Sequence, residues 1–139
     1  MGSFKERLED DHLAIFEWFV KEWASHFGVD LRWLIYVRWA EDAEDSAANV
    51  YYDDDARHAV VQLTRDYSGI LPLGPMVLAR YACHEIVHIL LAPIAELAEQ
   101  GVPRGVKTIG LEHEIVQTLV QISMRDHYDR LRASCPIKA

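Results

Sequence analysis

Apolar residues recur at helical spacing in three stretches of the chain, and the stretch between the first two is rich instead in β-branched and aromatic residues. In the first, Ser3 and Glu6 stand at capping-box spacing, and Leu8, Ile15, Phe16, Phe19, Trp23 and Phe27 form one stripe before Gly28. An N-terminal helix is predicted, with the stripe as core and the glycine as its stop. Leu31 to Ala40 predicts a strand, and an acidic loop from Glu41 to Asp45 follows. Asn49 to Tyr52 and Arg57 to Arg65 predict two short strands joined by the turn Asp53-Asp54-Asp55-Ala56. That aspartate run lacks the glycine and distal glutamate of a calcium loop, so it is assigned as a solvated turn.

A Gly- and Pro-bearing loop from Ser68 to Pro75 leads into the second helical stretch, Met76 to Ala92, which is apolar all round. Pro75 suits the first helical position, where a missing N–H costs nothing. The pattern predicts a buried helix that ends or kinks near Ala92 because of Pro93, with a shorter helix running on to Gln100 and stopped by Gly101. The third stretch, Thr108 to Arg132, predicts a helix with Leu111, Ile115, Leu119 and Ile122 on one stripe and Val116, Val120 and Met124 widening it. No internal repeat or low-complexity segment interrupts this order.

With 139 residues, half of them apolar, the chain can build one core and is too short for two, so a single α+β domain spanning residues 1–139 is expected. A net charge of −8 offers no basic stripe, which argues against nucleic acid as a partner. The N-terminus is charged from Lys5 with no apolar signal core, and Glu6 stands where a myristoylation signal wants Ser or Thr. No membrane association and a cytoplasmic location are expected. Cys83 and Cys135 have no partner at zinc-knuckle spacing and are assigned as free thiols of a reducing compartment.

Chemistry concentrates in His84-Glu85-Ile86-Val87-His88. Histidines four apart project from one side of a helix and can converge on one metal ion, for which zinc is the expected identity. Glu85, rotated by about 100° from His84, falls beside such an ion, placed to deprotonate a water. On a buried helix these three polar groups cost a few kcal/mol each unless paired or metal-bound, so a solvated charge face is excluded.

Catalytic zinc commonly takes a third protein ligand. Leu91 and Ile94 occupy the places of the glycine and third histidine of the extended motif, so the ligand has to come from a later helix. The last helix opens with Glu112-His113-Glu114. Glu112 projects near the middle of the face formed by Ile115, Val116, Leu119 and Ile122, whereas Glu114 points roughly 150° away. Glu112 is the better ligand; Glu114 stays in reserve in case the helix begins later. His113, Tyr81 and His58 are candidates for stabilising a transition state or supporting a ligand. His127 is about 22 Å further along the helix and too far.

The motif, its continuation Ile89-Leu90-Leu91-Ala92-Pro93 and the later Glu112-His113-Glu114-Ile115-Val116 resemble the small HExxH proteins of phage and prophage genomes, minimal zinc metallopeptidases of the gluzincin type. The resemblance covers most of the chain, though only the metal motif is specific. It implies zinc on His84, His88 and Glu112, with Glu85 as catalytic base. It also implies a small, mainly antiparallel sheet of about three strands over the motif helix, whose edge could hold an extended peptide. The acidic residue that often follows the ligand glutamate by four positions is replaced by Val116, or by Thr118 after Glu114. The expected activity is cleavage of a protein or peptide substrate. The alternative is a non-catalytic zinc-binding accessory or assembly protein that binds a protein partner.

Overall fold

The motif-bearing helix becomes the hub because it is apolar on every side: Leu78, Ala79, Ala82, Cys83, Ile86, Val87 and Ile89 lose all contact with solvent. Burial of a large aliphatic side chain contributes about 1.5–3 kcal/mol, which is how this helix sustains polar motif residues beside the core. The chain is described by a computed structural model covering residues 3–41, 46–53, 55–101 and 108–137. In order it forms β1 (Phe4–Arg7), α1 (Asp10–His26), a 3-10 turn (Val29–Leu31), β2 (Leu34–Trp39), β3 (Ala48–Asp53), β4 (His58–Leu63), β5 (Asp66–Gly69), α2 (Pro75–Gly101) and α3 (Thr108–Ser134).

Helix α1 lays Ile15, Phe16, Phe19, Val20 and Trp23, all fully buried, against α2. It does not start at Ser3. Residues Phe4–Arg7 are instead extended and pair antiparallel with β5, and Leu8 is tied by its N–H to Arg65 O at 2.7 Å. The helix is capped at Glu9, whose backbone N–H donates to His12 Nδ1 at 2.8 Å. At the other end Gly28 adopts φ +73°, a left-handed conformation that suits glycine just past a helix C-cap.

The main sheet has the order β2-β4-β3, with β4 parallel to β2 and antiparallel to β3. It is therefore mixed rather than mainly antiparallel, and the β1–β5 ribbon is separate from it. Period-two alternation sends Ala48, Ala59, Val61 and Leu63 into the core, with Ile35, Val37, Trp39 and Val50 partly buried against it. Edge strand β3 lies against α2. Asp53 closes the β3–β4 turn by accepting the N–H groups of Asp55 (2.9 Å) and Ala56 (3.2 Å). Residues 42–45 of the acidic loop and Asp54 lie outside the described residues.

Two expectations about the long helices are corrected. Helix α2 does not end near Ala92 but continues through Pro93 to Gly101, with the proline exposed while Ile89 and Ala92 remain fully buried. Packing at those neighbours outweighs the roughly 3 kcal/mol of an interior proline. In α3 the buried seam is Val116, Val120, Ser123, Met124 and Leu131, while Leu111, Ile115 and Ile122 are about half exposed. The seam is set by contact with α2, so the residues expected to widen the stripe form its core. Residues Pro75–Ala98 are long and apolar enough to cross a bilayer, yet 56% of that stretch is buried inside the fold, as befits a core helix.

Candidate metal centre

One turn of α2 brings the imidazoles of His84 and His88 together edge to face, with their Nε2 atoms 3.1 Å apart and the ring planes at 64°. Burial, helped by the neighbouring His88 and His113, pulls the pKa of His84 down to about 4. Its ring is neutral over the ordinary pH range, the form in which a histidine binds a cation. Glu85, the next residue along α2, is only 6% exposed, and burial pushes its carboxyl up to about 7.

Helix α3 delivers Glu112 to the same place because Glu112 lies four residues before Val116, on the buried seam. Its Oε1 is 3.0 Å from His88 Nδ1, with 23% of the Glu112 side chain exposed. The contact is thus on the far nitrogen of His88, away from the pair of Nε2 atoms. A carboxylate in that position accepts the Nδ1–H and leaves the Nε2 lone pair facing His84. The adjacent His113 sets its ring 5.7 Å from that of His88 at 74°. As the side chains stand among the described residues, no group of three or more His, Cys, Asp or Glu is disposed to hold a metal ion. The pair supplies two converging nitrogens, and the carboxylate that α3 brings is spent on orientation.

The other candidates fall elsewhere. Glu114 is exposed, and its carbonyl accepts Thr118 Oγ1 at 2.9 Å on the outer face of α3. Tyr81 hydrogen-bonds to Tyr67, whose hydroxyl in turn donates to Leu71 O, so its phenol is engaged with β5 and the loop after it. His58 stands at the start of β4 with its ring against Tyr36. His127 packs on His26, 4.4 Å between ring centres, at the C-terminal end of α1. Cys83 is fully buried and hydrogen-bonded to Ser123, and burial pushes its thiol up to about 12.

An apolar cleft of about 130 Å³ runs from Glu112 between α2 and α3, lined by Leu91, Ile94, Ala95, Ala98, Leu111 and Ile115. It escaped the sequence reading because Leu111 and Ile115 were assigned to the core. The available signal was the apolar run Ile94-Ala95 beyond Pro93, on a helix expected to end. Comparison with family models, curated proteins and solved structures yields no match.

Proposed function

We propose that the chain is a zinc-dependent hydrolase, and within that class a peptidase acting on protein or peptide substrates. The observation that carries the reading is the pair of Nε2 atoms 3.1 Å apart on one turn of α2, next to a buried carboxyl with an elevated pKa. The donor set suits zinc in type, since neutral imidazoles are its usual nitrogen ligands and two of them converge. Zinc bound there would supply Lewis acidity, polarising a carbonyl and making a water easier to deprotonate.

Glu85 is the residue placed to move the proton. A carboxyl titrating at about 7 takes a proton from attacking water and gives it to the leaving amine with little driving force lost in either direction. His88, held at Nδ1 by Glu112, keeps a fixed ring orientation during that transfer. Edge strand β3 beside α2 offers backbone groups to an extended peptide.

The second reading, a zinc protein without catalysis that binds a protein partner, draws on the apolar cleft at Glu112. The two part at the coordination shell: an enzyme keeps one position open, and a structural site closes it with a fourth side chain. Incubation with a diverse peptide mixture, read by mass spectrometry, tests the first reading. Cleavage that a chelator stops and zinc restores is expected; no cleavage by the zinc-loaded protein counts against it.

A further inference from the structure

We infer that the apolar end of the α2–α3 hairpin is a docking groove for an amphipathic helix of a partner protein, one whose apolar face is flanked by Lys and Arg. The inference rests on the hairpin and not on a bound metal. It gives a chemistry to the partner of the second reading above and stands if the zinc reading fails. From Pro93 to Gly101 and from Gly110 to Ile115 no described residue is buried. The side chains there are nevertheless apolar: Ile94 and Leu97 on α2 are more than two-thirds exposed, and Leu111 and Ile115 on α3 about half. Leu111, Ile115, Leu119 and Ile122 have the spacing of a buried helix face, yet the fold buries Val116, Val120 and Met124 against α2 instead, roughly 140° round the helix. One apolar stripe of α3 has its neighbour within the chain, and the other faces solvent.

Two clefts shape this surface and meet at Ile115. One, of about 130 Å³, lies between α2 and α3 and includes Glu112; the other, of about 290 Å³, is lined by Glu114, Thr118 and Leu119. Apolar clefts on a helical hairpin take the i, i+3 and i+4 anchors of an amphipathic helix. Charge selects which helix. Residues 89–101 and 108–124 contain Glu96, Glu99, Glu112 and Glu114 and no Lys or Arg, and the connection adds only Arg104 and Lys107. Glu112 and Glu114 flank the exposed stripe of α3 on opposite sides. A chain with a net charge of −8 attracts a cationic partner and repels a second copy of itself.

Fluorescence anisotropy of the full chain with a synthetic helix tests this. The probe has about 18 residues, leucines at three- and four-residue spacing and lysines elsewhere. Wild type should bind it with an affinity that falls as salt rises, and the same peptide with glutamates for lysines should not bind. Ile94→Ser and Ile115→Ser should each weaken binding about 10-fold, while Glu114→Gln should flatten the salt dependence. Ile70→Ser, at an exposed apolar side chain in the loop after β5, should change nothing. These side chains are exposed, so the variants should keep the wild-type melting temperature. Wild type that does not bind the lysine peptide overturns the proposal, as does binding that Ile94→Ser and Ile115→Ser leave unchanged. Equal binding of the glutamate peptide overturns the cationic partner. A dimer in sedimentation, or adsorption to phosphatidylcholine vesicles, that the same two substitutions abolish assigns the face to that occupant and overturns the proposal as well. Zinc content of the same samples bears on the zinc reading alone.

Discussion

Trp23 of α1 donates its indole N–H to the backbone carbonyl of Ala79, 3.0 Å away on α2 and just over one turn before His84. This bond fixes the rotation of the motif helix against α1, because it joins a fully buried ring to a backbone atom rather than to a mobile side chain. Ala79 O is also the helical acceptor for Cys83 N–H, so removing the indole leaves no orphaned carbonyl. Trp23→Phe should therefore cost only about 1 kcal/mol for the bond plus a packing loss, and Trp23→Ala about 3–5 kcal/mol. Urea denaturation measures both; equal costs would place the whole loss in the N–H and the outer ring edge and contradict the contribution expected from burial of the rest of the ring.

Gly69, at the end of β5, sits against the ring of Tyr67, and a Cβ there would run into the phenol hydroxyl. Tyr67 is 4% exposed and bonded through that hydroxyl to Leu71 O, so it has little room to yield. Gly69→Ala should cost about 1–3 kcal/mol. The same substitution made in Tyr67→Ala should cost clearly less, and an unchanged cost in that double-mutant comparison would locate the strain elsewhere.

Glu85 gives a pH dependence of definite sign. Its carboxyl ionises near 4.5 ordinarily and at about 7 in the fold. Between those values the folded chain holds a proton that the unfolded chain has released. Stability from this group is complete below 4.5 and is lost as pH rises through about 7. The interval corresponds to roughly 3 kcal/mol. Metal-free Glu85→Gln should match wild type at pH 4 and exceed it by up to that amount at pH 8. His84, pulled down to about 4, contributes the opposite trend between 4 and its ordinary 6.5 in both proteins and drops out of the comparison. A variant no more stable than wild type at pH 8 contradicts the elevated pKa.

Cys83 should resist thiol reagents at pH 8 in the native protein and react on unfolding, since it is fully buried and its thiol is pushed up to about 12. Labelling by mass spectrometry with and without denaturant checks this. Rapid native labelling at Cys83 would mean that the α2–α3 seam opens readily.

The elements legible in the sequence were those whose pattern is local. Phe16, Phe19 and Trp23 marked the face of α1, and a four-residue spacing was enough to bring His84 and His88 together. Strand β5 was not legible, because Asp66, Ser68 and Gly69 have low strand propensity and are held extended by pairing with β1. Parallel pairing of β2 with β4 joins residues 24 apart, as Leu34 with His58, which no local pattern encodes. Helical phase brought Glu112 to the site, but which nitrogen of His88 it meets depends on rotamers that phase does not determine.

The central claim is tested most directly by measuring zinc content and peptide hydrolysis together in wild type and Glu85→Gln. The proposal makes Glu85 a base and not a ligand. Wild type should carry about one zinc per chain and cleave peptides. Glu85→Gln should keep that zinc and its fold while hydrolysis falls by about 10²- to 10⁴-fold. A variant that cleaves as well as wild type, or a wild type that holds no zinc, contradicts the account.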